Sequence, residues 1–373
     1  MEDIKKGLES VIALETSISY IDGINGILEY RGYNINDLSE MPYDAVSYLL
    51  IHGELPDEDE LLEAFSGQLR AEREIDEDTI EFMRMCPYGV EAMDALRTAV
   101  SYLSHHDPDM SDCSLDANLR KGIRLIAKFP TIVAAYYRIT NGQEPIAPHP
   151  SLPHGANFLY MLRGEEPSEL EARLMELDFI LSAEHELNAS TFSVRVAVST
   201  LSDIHSAVIA GLSTLKGPLH GGARLAVMRM LEEVGSPERA EEYVLSLIAE
   251  GQRVMGFGHR VYKTYDPRAR IYKRLAREIA DERGDTRWFR IAESIEEAVQ
   301  RELVEKQGKP LCPNVDFYSA VVYKYLHIPP EFATSLFAIG RISGWVAHCI
   351  EQYADNRVIR PRAKYVGKHH PSR

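Results

Sequence analysis

Residues 187–215, LNASTFSVRVAVSTLSDIHSAVIAGLSTL, carry small and apolar side chains on most faces rather than in one stripe, the pattern of a helix buried all round. Such a helix needs packing partners on every side, within a large domain or across a subunit interface. The chain is therefore expected to build a thick helical body. MPYDAVSYLLIHGELP, DEDELLEAFSGQLRAERE, LRKGIRLIAKFPTIVAAYYRITNG and PSELEARLMELDFILSAEHELNA agree, with apolar residues three and four apart and stop signals such as Gly53 and Pro56. In SPERAEEYVLSLIAE, Ser236 is placed to cap a helix and Pro237 to open it. The exception is SISYIDGINGILEYRGY, residues 17–33, where apolar and polar residues alternate about Asp22-Gly23 and Asn25-Gly26, a hairpin signal. The fold class expected is mainly α with a small N-terminal β-hairpin. The strand–helix alternation of a doubly wound sheet is absent, as is any repeat at fixed period.

At 373 residues the chain exceeds the usual size of one hydrophobic core, so a large domain and at least one smaller one are expected. Boundaries belong in the Gly and Pro loops near 217–222 and 326–331. A formal net charge of -16 argues against a nucleic-acid surface, which needs clustered excess Lys and Arg, but a small anionic substrate requires only a local cluster of cations. Cys86, Cys113, Cys312 and Cys349 are far apart, with no Cys-x-x-Cys pair, and read as free thiols of a reducing cytosol. MEDIKKGLES has no apolar stretch behind its lysines, and no run approaches the ~18 residues of a membrane span. A cytoplasmic location without membrane partners is expected.

Four segments can carry chemistry. In LKGPLHGGA, Lys216 and Gly217 end a helix, Pro218 blocks its continuation, and Gly221 and Gly222 permit close backbone approach, so His220 is either the tip of a turn or an active group. MGFGHRVYKTYDPRAR places His259 before Arg260, Lys263, Arg268 and Arg270, with Lys273 and Arg274 just beyond. These form a solvated basic face or, in so acidic a chain, an anion site. The Gly-x-Gly there lacks the preceding strand and third glycine of a dinucleotide fingerprint, and no P-loop exists. In CPNVDFYSA, Asp316 falls at a helix start, where it either caps a backbone N–H or serves as a general base desolvated among Val315, Phe317 and Tyr318. In AIGRISGWVAHCIEQYADNRVIRPRAKYVG, Arg341 lies in an apolar helix, where it snorkels or meets a buried anion, whereas Arg360 and Arg362 belong to a loop.

Taken together, YIDGINGILEYRGY, SAEHELNASTF, LKGPLHGGA, MGFGHRVYKTYDPRA, NVDFYSA, GRISGWVAH and NRVIRPRAKYVG resemble the citrate synthase family over nearly the whole chain. The resemblance implies a two-domain, all-helical fold: residues 1–220 and 326–373 as a large, dimer-forming domain, and 221–325 as a small domain that closes over the site. It implies condensation of acetyl-CoA with oxaloacetate, with His220, His259 and Asp316 catalytic. His185, Arg268, Arg341 and Arg360 match ligands of oxaloacetate and citrate, Arg360 coming from the other subunit of a homodimer. Arg253, Val254, Met255, Gly256 and Phe257 match the loop that recognises the adenine of coenzyme A, and Lys263 and Lys309 match positions for its phosphates. No metal and no permanently bound cofactor is implied, the CoA thioester being a substrate. Two departures stand out: the chain stops six residues after Tyr365-Val366-Gly367, where many relatives continue into an arm around the partner, and it lacks the N-terminal extension of the NADH-regulated hexamers. A simple dimer is expected.

Three alternatives compete. 2-Methylcitrate synthase shares these motifs and takes propionyl-CoA, and one methylene in an apolar pocket is worth only ~1–3 kcal/mol. A metal-dependent lyase or hydrolase would draw on the 13 histidines, including His105-His106 and His369-His370, but their spacing matches no helix-borne ligand pair. A non-catalytic helical dimer is disfavoured by competent side chains at all three catalytic positions.

Overall fold

Asp22 accepts hydrogen bonds from the amides of Ile24 and Asn25, closing a turn in which Gly26 takes φ 68°. β1 (Ser19–Asp22) and β2 (Ile27–Tyr30) flank it as antiparallel partners, Ser19 opposite Tyr30 and Asp22 opposite Ile27. A short third strand that the alternation did not announce, β3 (Tyr33–Asn34), folds back on β2. The hairpin is thus part of a three-stranded sheet. A computed structural model describes residues 4–369 of the chain.

Helices follow. α1 (Ile35–Leu38) leads to α2 (Tyr43–His52), which Gly53 ends at φ 94°, the left-handed stop expected there. α3 (Asp59–Ala71), α4 (Glu77–Arg84), α5 (Ala92–Leu103), α6 (Leu115–Thr140) and α7 (His154–Arg163) come next. α8 (Glu169–Ala183) opens on a reciprocal capping box of Ser168 and Glu171.

The segment 187–215 is two helices rather than one, α9 (Ala189–Ser199) and α10 (Ile204–Leu215), broken at Leu201, which takes φ 62°. Nor does its own chain bury it all round. Val194, Val198, Ala207, Val208 and Leu212 are inside, while Phe192, Val196, Ala197, Ile209 and Ala210 remain half-buried at helical spacing. Small side chains on both faces hide the difference between them in the sequence.

α11 (Ala223–Val234), α12 (Ala240–Ala249), α13 (Pro267–Arg283), α14 (Arg287–Val299), α15 (Val315–Tyr325) and α16 (Ala333–Ala354) complete the order. Ser236 does not cap an α-helix with its side chain; Pro237 opens a 3-10 turn, Pro237–Arg239, that runs on into α12. α16 lies deep in the protein, against α2, α6, α8, α9 and α10. α11 to α15 pack chiefly on one another, α11 and α13 against α15, and α12 against α14. The seam between the groups, where α11 meets α16 and α13 meets α8, holds the conspicuous loops. No helix among the described residues is long and apolar enough to cross a membrane.

Candidate active site

Between α10 and α11 the chain reverses within a few residues. The Gly221 amide donates to the Leu215 carbonyl at 3.0 Å, and a Cβ on Gly221 would fall 2.3 Å from that oxygen, so any larger residue would open the turn. His220 is not the tip; the exposed tip is Leu219. His220 turns inward, its Nε2 2.8 Å from Ser190 Oγ on α9. Burial, aided by the charge of Arg341, lowers its pKa to about 4, so the ring is neutral at pH 7.

The loop before α13 is stapled to the loop before α15. Gly258 N–H donates to Cys312 O at 2.8 Å, Asn314 N–H to Gly256 O at 2.9 Å, and Asn314 Nδ2 to Gly258 O at 3.0 Å. Gly256 and Gly258 permit this by taking φ 82° and 81°. The staple sets His259 and Asp316 on the same side of the seam. His259 Nδ1 accepts from the amides of Val261 at 3.0 Å and Tyr262 at 3.2 Å, so the proton of the neutral ring resides on Nε2. Burial, then the nearby Arg268, lowers its pKa to about 4.

Asp316 is not a cap. Asn314 performs that task, its Oδ1 accepting from the Asp316 amide at 3.0 Å, and the Asp316 carboxylate is left for another role. Its side chain is 18% exposed, and it approaches Arg224 Nε at 3.5 Å. Burial raises its pKa, while the charges of Arg224 and Arg268 oppose the rise.

Two arginines stand between these groups. Arg268, 2% exposed, is gripped by Asp266 through Nε at 3.1 Å and Nη2 at 2.8 Å. Burial works against its charge, but Asp266 outweighs burial and raises the pKa. Arg341, 1% exposed, does not snorkel: Nε donates to Ser182 O at 2.7 Å, the guanidinium lies 4.9 Å from the centre of the Phe337 ring, and the buried carboxylate of Glu184 acts on it only through its charge. No carboxylate among the described residues forms an ion pair with it, and burial lowers its pKa to about 10, leaving it cationic at pH 7. A buried cation that Glu184 offsets only in part is a cost that a bound carboxylate would relieve.

His185, just beyond α8, completes the cluster. Its ring centre lies 5.1 Å from that of His259 and 5.6 Å from that of Tyr262. Burial and the neighbouring cations push its pKa well below the usual value. His185 Nε2 and the Tyr262 hydroxyl are both buried without a hydrogen-bond partner among the described residues, as expected beside a site for a polar ligand. The charge of Arg268 reaches His185, His259 and Asp316, and that of Arg341 reaches His185 and His220.

Other expected residues lie elsewhere. Arg360 is exposed in a stretch without regular secondary structure and makes no hydrogen bond or ion pair among the described residues. Lys263 and Lys309 are exposed, Lys263 Nζ donating to Arg260 O at 3.3 Å. The basic cluster splits, because successive residues of α13 point to different sides. Only Arg268 turns inward, whereas Arg270, Lys273 and Arg274 line a separate groove with Tyr265 and Arg277, Lys273 pairing with Glu296 and Arg274 with Glu40. Arg253 and Met255 line a cavity of about 500 Å³ with Leu225, Met230, Tyr243 and Leu247 of α11 and α12. Val254 is buried, and Phe257 pairs with Pro313 across the staple. His105 and His106 rest near Tyr102, and His369 near Tyr365; His370 lies outside the described residues. Among the described residues no three His, Cys, Asp or Glu side chains are grouped to hold a metal.

Sequence reasoning missed Ser190, Arg224, Tyr262 and Asp266. Ser190 is hidden in an ordinary helix start, Asn188-Ala189-Ser190, and Arg224 reads as one more cation on an amphipathic helix.

Comparison with known proteins identifies the family. The family model described as "Citrate synthase, C-terminal domain" matches residues 7–362. A citrate synthase of Haloferax volcanii is 45% identical over 98% of this chain and 96% of its own length. A citrate/2-methylcitrate synthase of Bacillus subtilis is 40% identical over 97% of this chain and 96% of its own. The structure of a Thermoplasma acidophilum citrate synthase, solved with carboxymethyl coenzyme A and oxaloacetate, superposes with a TM-score of 0.93 at 34% identity, covering 100% of this chain and 98% of that one. With the family model spanning nearly the whole chain and relatives this similar along their full length, the chain belongs to the citrate synthase family.

Proposed function

We propose that the chain condenses acetyl-CoA with oxaloacetate and water to give citrate and CoA, with His220, His259 and Asp316 as the catalytic groups. The observation that carries this reading is the pair of buried guanidinium groups, Arg268 and Arg341, set among neutral histidines beside a carboxylate of raised pKa. A dicarboxylate fits between two such cations, because guanidinium forks fix its orientation as well as its charge. His185 donates or accepts at its free Nε2, and Arg360 joins from a second copy of the chain.

Removing a proton from a thioester methyl group requires a base and, at the same moment, a donor for the developing enolate oxygen. Asp316 takes the proton. His220 stabilises the oxygen from Nδ1; the Ser190 hydroxyl, which donates to Asn188 Oδ1 at 2.8 Å, must turn to donate to Nε2 and so place the ring proton on Nδ1. His259 donates from Nε2 to the keto oxygen of oxaloacetate while the enol carbon attacks the keto carbon. The citryl-CoA formed is then hydrolysed by water in the same site. The cavity beside Arg253 and Met255 suits the nucleotide end of CoA, with Val254, Gly256 and Phe257 as the rest of the adenine loop and Lys263 and Lys309 as exposed cations for the phosphates.

In this reading residues 221–325 form a cover over a body made of 1–220 and 326–373. Supporting it, α11 to α15 pack chiefly on one another, and their loops line the seam. The half-buried side of α9 and α10 supports a homodimer, and four unpaired cysteines suit the cytoplasm.

The test is release of free CoA from purified protein given oxaloacetate with either acetyl-CoA or propionyl-CoA, in the presence of EDTA. Faster turnover of acetyl-CoA is expected. Preference for propionyl-CoA would move the activity to the second one named for the Bacillus subtilis relative, and no cleavage of either thioester would refute both.

A further inference from the structure

Arg224, in the first turn of α11, is 1% exposed and embedded in an unusual cage. Its Nη1 donates to Asp178 Oδ1 at 2.9 Å and to the Tyr323 hydroxyl at 2.6 Å. The hydroxyls of Tyr272 and Tyr323 each donate to Asp178 at 2.7 Å. Asp178 is on α8, while its three donors come from α11, α13 and α15. The rings of Tyr323, Phe337 and Tyr272 surround the guanidinium at 4.9, 5.2 and 5.8 Å. All of this engages one end of the fork. Nε and Nη2 remain buried without a hydrogen-bond partner among the described residues, and Nε faces Asp316 Oδ1 at 3.5 Å.

We propose that Arg224 is a positioning residue for the proton-abstracting carboxylate, holding Asp316 ionised and at fixed reach through its Nε edge while Asp178, Tyr272 and Tyr323 immobilise the guanidinium. The inference rests on the reading of Asp316 as the base. A buried carboxyl that stays protonated at working pH cannot abstract a proton, whereas one clasped in a close bidentate pair is too weak a base. A single edge at 3.5 Å lies between those extremes.

The other charges facing Asp316 do not replace it. Arg268, at the start of α13, is already engaged by Asp266 through two nitrogens, and Asp266 itself opposes ionisation of Asp316. On α14, Glu296 is bonded to Tyr318 and Lys273 rather than aimed at Asp316. Arg224 is the cation left to hold the base.

The experiment is the pH profile of kcat/KM for acetyl-CoA in the wild type, Arg224→Lys and Arg224→Met, with melting temperature and calorimetric binding of oxaloacetate recorded for each. Because Arg224→Met strands a buried Asp178, the double variant Asp178→Asn/Arg224→Met removes anion and cation together. The acid limb is expected to rise by about one pH unit or more in the Met variants, with Lys restoring part of the shift and oxaloacetate affinity changing little. A folded double variant whose rate falls equally at every pH, with the limb unmoved, overturns the inference. Asp316→Asn separates the two levels: if it keeps its activity, the assignment of the base has failed, whereas an inactive Asp316→Asn beside an unmoved limb refutes the role of Arg224 alone.

Discussion

Arg341 and Arg360 are assigned to the same dicarboxylate, yet the chain treats them in opposite ways. Arg341 is sealed within α16, its Nε tied to Ser182 and its ring neighbour fixed. Arg360 follows an irregular tail whose last anchors are Asn356 Nδ2 on Ser199 O at 3.1 Å and the Ile359 amide on Ser199 Oγ at 3.1 Å. Those anchors lie at the end of α9, whose outer side is half-buried. In the proposed site one wall is built by the core of its own chain, and the other would be launched from the edge of an uncovered face. On the proposed reading, the difference is that a buried charge belongs to a site inside the chain, whereas an unsupported charge beside a half-buried face belongs to a site that a second copy would complete.

Asp316→Ala gives the largest expected effect, a fall in kcat of about 10³-fold, with oxaloacetate binding nearly intact. Calorimetric titration checks the second half. Loss of both together would mean that Asp316 holds the site in shape, and the comparison of the arginines would lose its reference point. Arg341→Met follows. Removing a charge that pairs with a buried carboxylate is expected to weaken oxaloacetate binding by about 10²-fold or more. Because burial outweighs the favourable charge of Glu184 on that group, melting temperature without ligand should hold or rise. A marked fall in melting temperature would show Arg341 to be structural.

Arg360 is tested by mixing. If it acts in trans, dimers formed by co-expressing Arg360→Ala with Asp316→Ala contain one intact site per mixed pair, and activity should recover to about a quarter of the wild type. Two inactive parents and an inactive mixture would return Arg360 to its own chain and remove the contrast with Arg341.

These contrasts mark where the sequence was legible. The capping box of Ser168 and Glu171 before α8 was not singled out, whereas a helix end that depends on local chemistry, such as Gly53 after α2, could be read directly. So could the loop glycines around His220 and His259, because backbone reversal requires them. The outer face of α9 and α10 could not be read, since Ala and Val look alike whether a neighbour is present or not. Asp316 was ambiguous for a similar reason: Asn314 and Asp316 are both competent caps, and only geometry decides between them. Arg224 gave no signal, because a buried arginine and a surface one have the same spacing on an amphipathic helix.

The pH dependence of stability sharpens the contrast further. His220 and His259 have pKa values near 4 when folded, below the ordinary 6.5, so the unfolded chain binds more protons between those values. Their contribution is fully present above about pH 6.5 and is lost as pH falls toward 4, and melting temperature should drop across that window. Asp316, whose pKa is raised, acts in the opposite direction above its own ordinary value, partly offsetting the fall. Arg341 contributes to the depression at His220, so Arg341→Met should flatten the decline, whereas Arg360→Ala should leave it unchanged. An equal response from both variants would contradict the division between built-in and launched arginine.

The smallest expected effect belongs to Ser190→Ala. Ser190 lies on α9 facing inward, while Ser199, on the same helix, anchors the tail that carries Arg360. Losing its hydroxyl removes one hydrogen bond to His220 Nε2, worth about 1 kcal/mol, so kcat should fall about fivefold. Oxaloacetate affinity should stay unchanged, because the arginines are untouched. The loss should fall on enolisation, seen as a larger share of the deuterium isotope effect from methyl-labelled acetyl-CoA. Assembly in the Arg360→Ala mixing experiment should be unaffected, since the tail is held at the other end of the helix. If Ser190→Ala instead weakens oxaloacetate binding or mixing, α9 transmits strain along its length, and inner and outer faces are not independent. If kcat does not change, the ring proton of His220 is set by something other than Ser190.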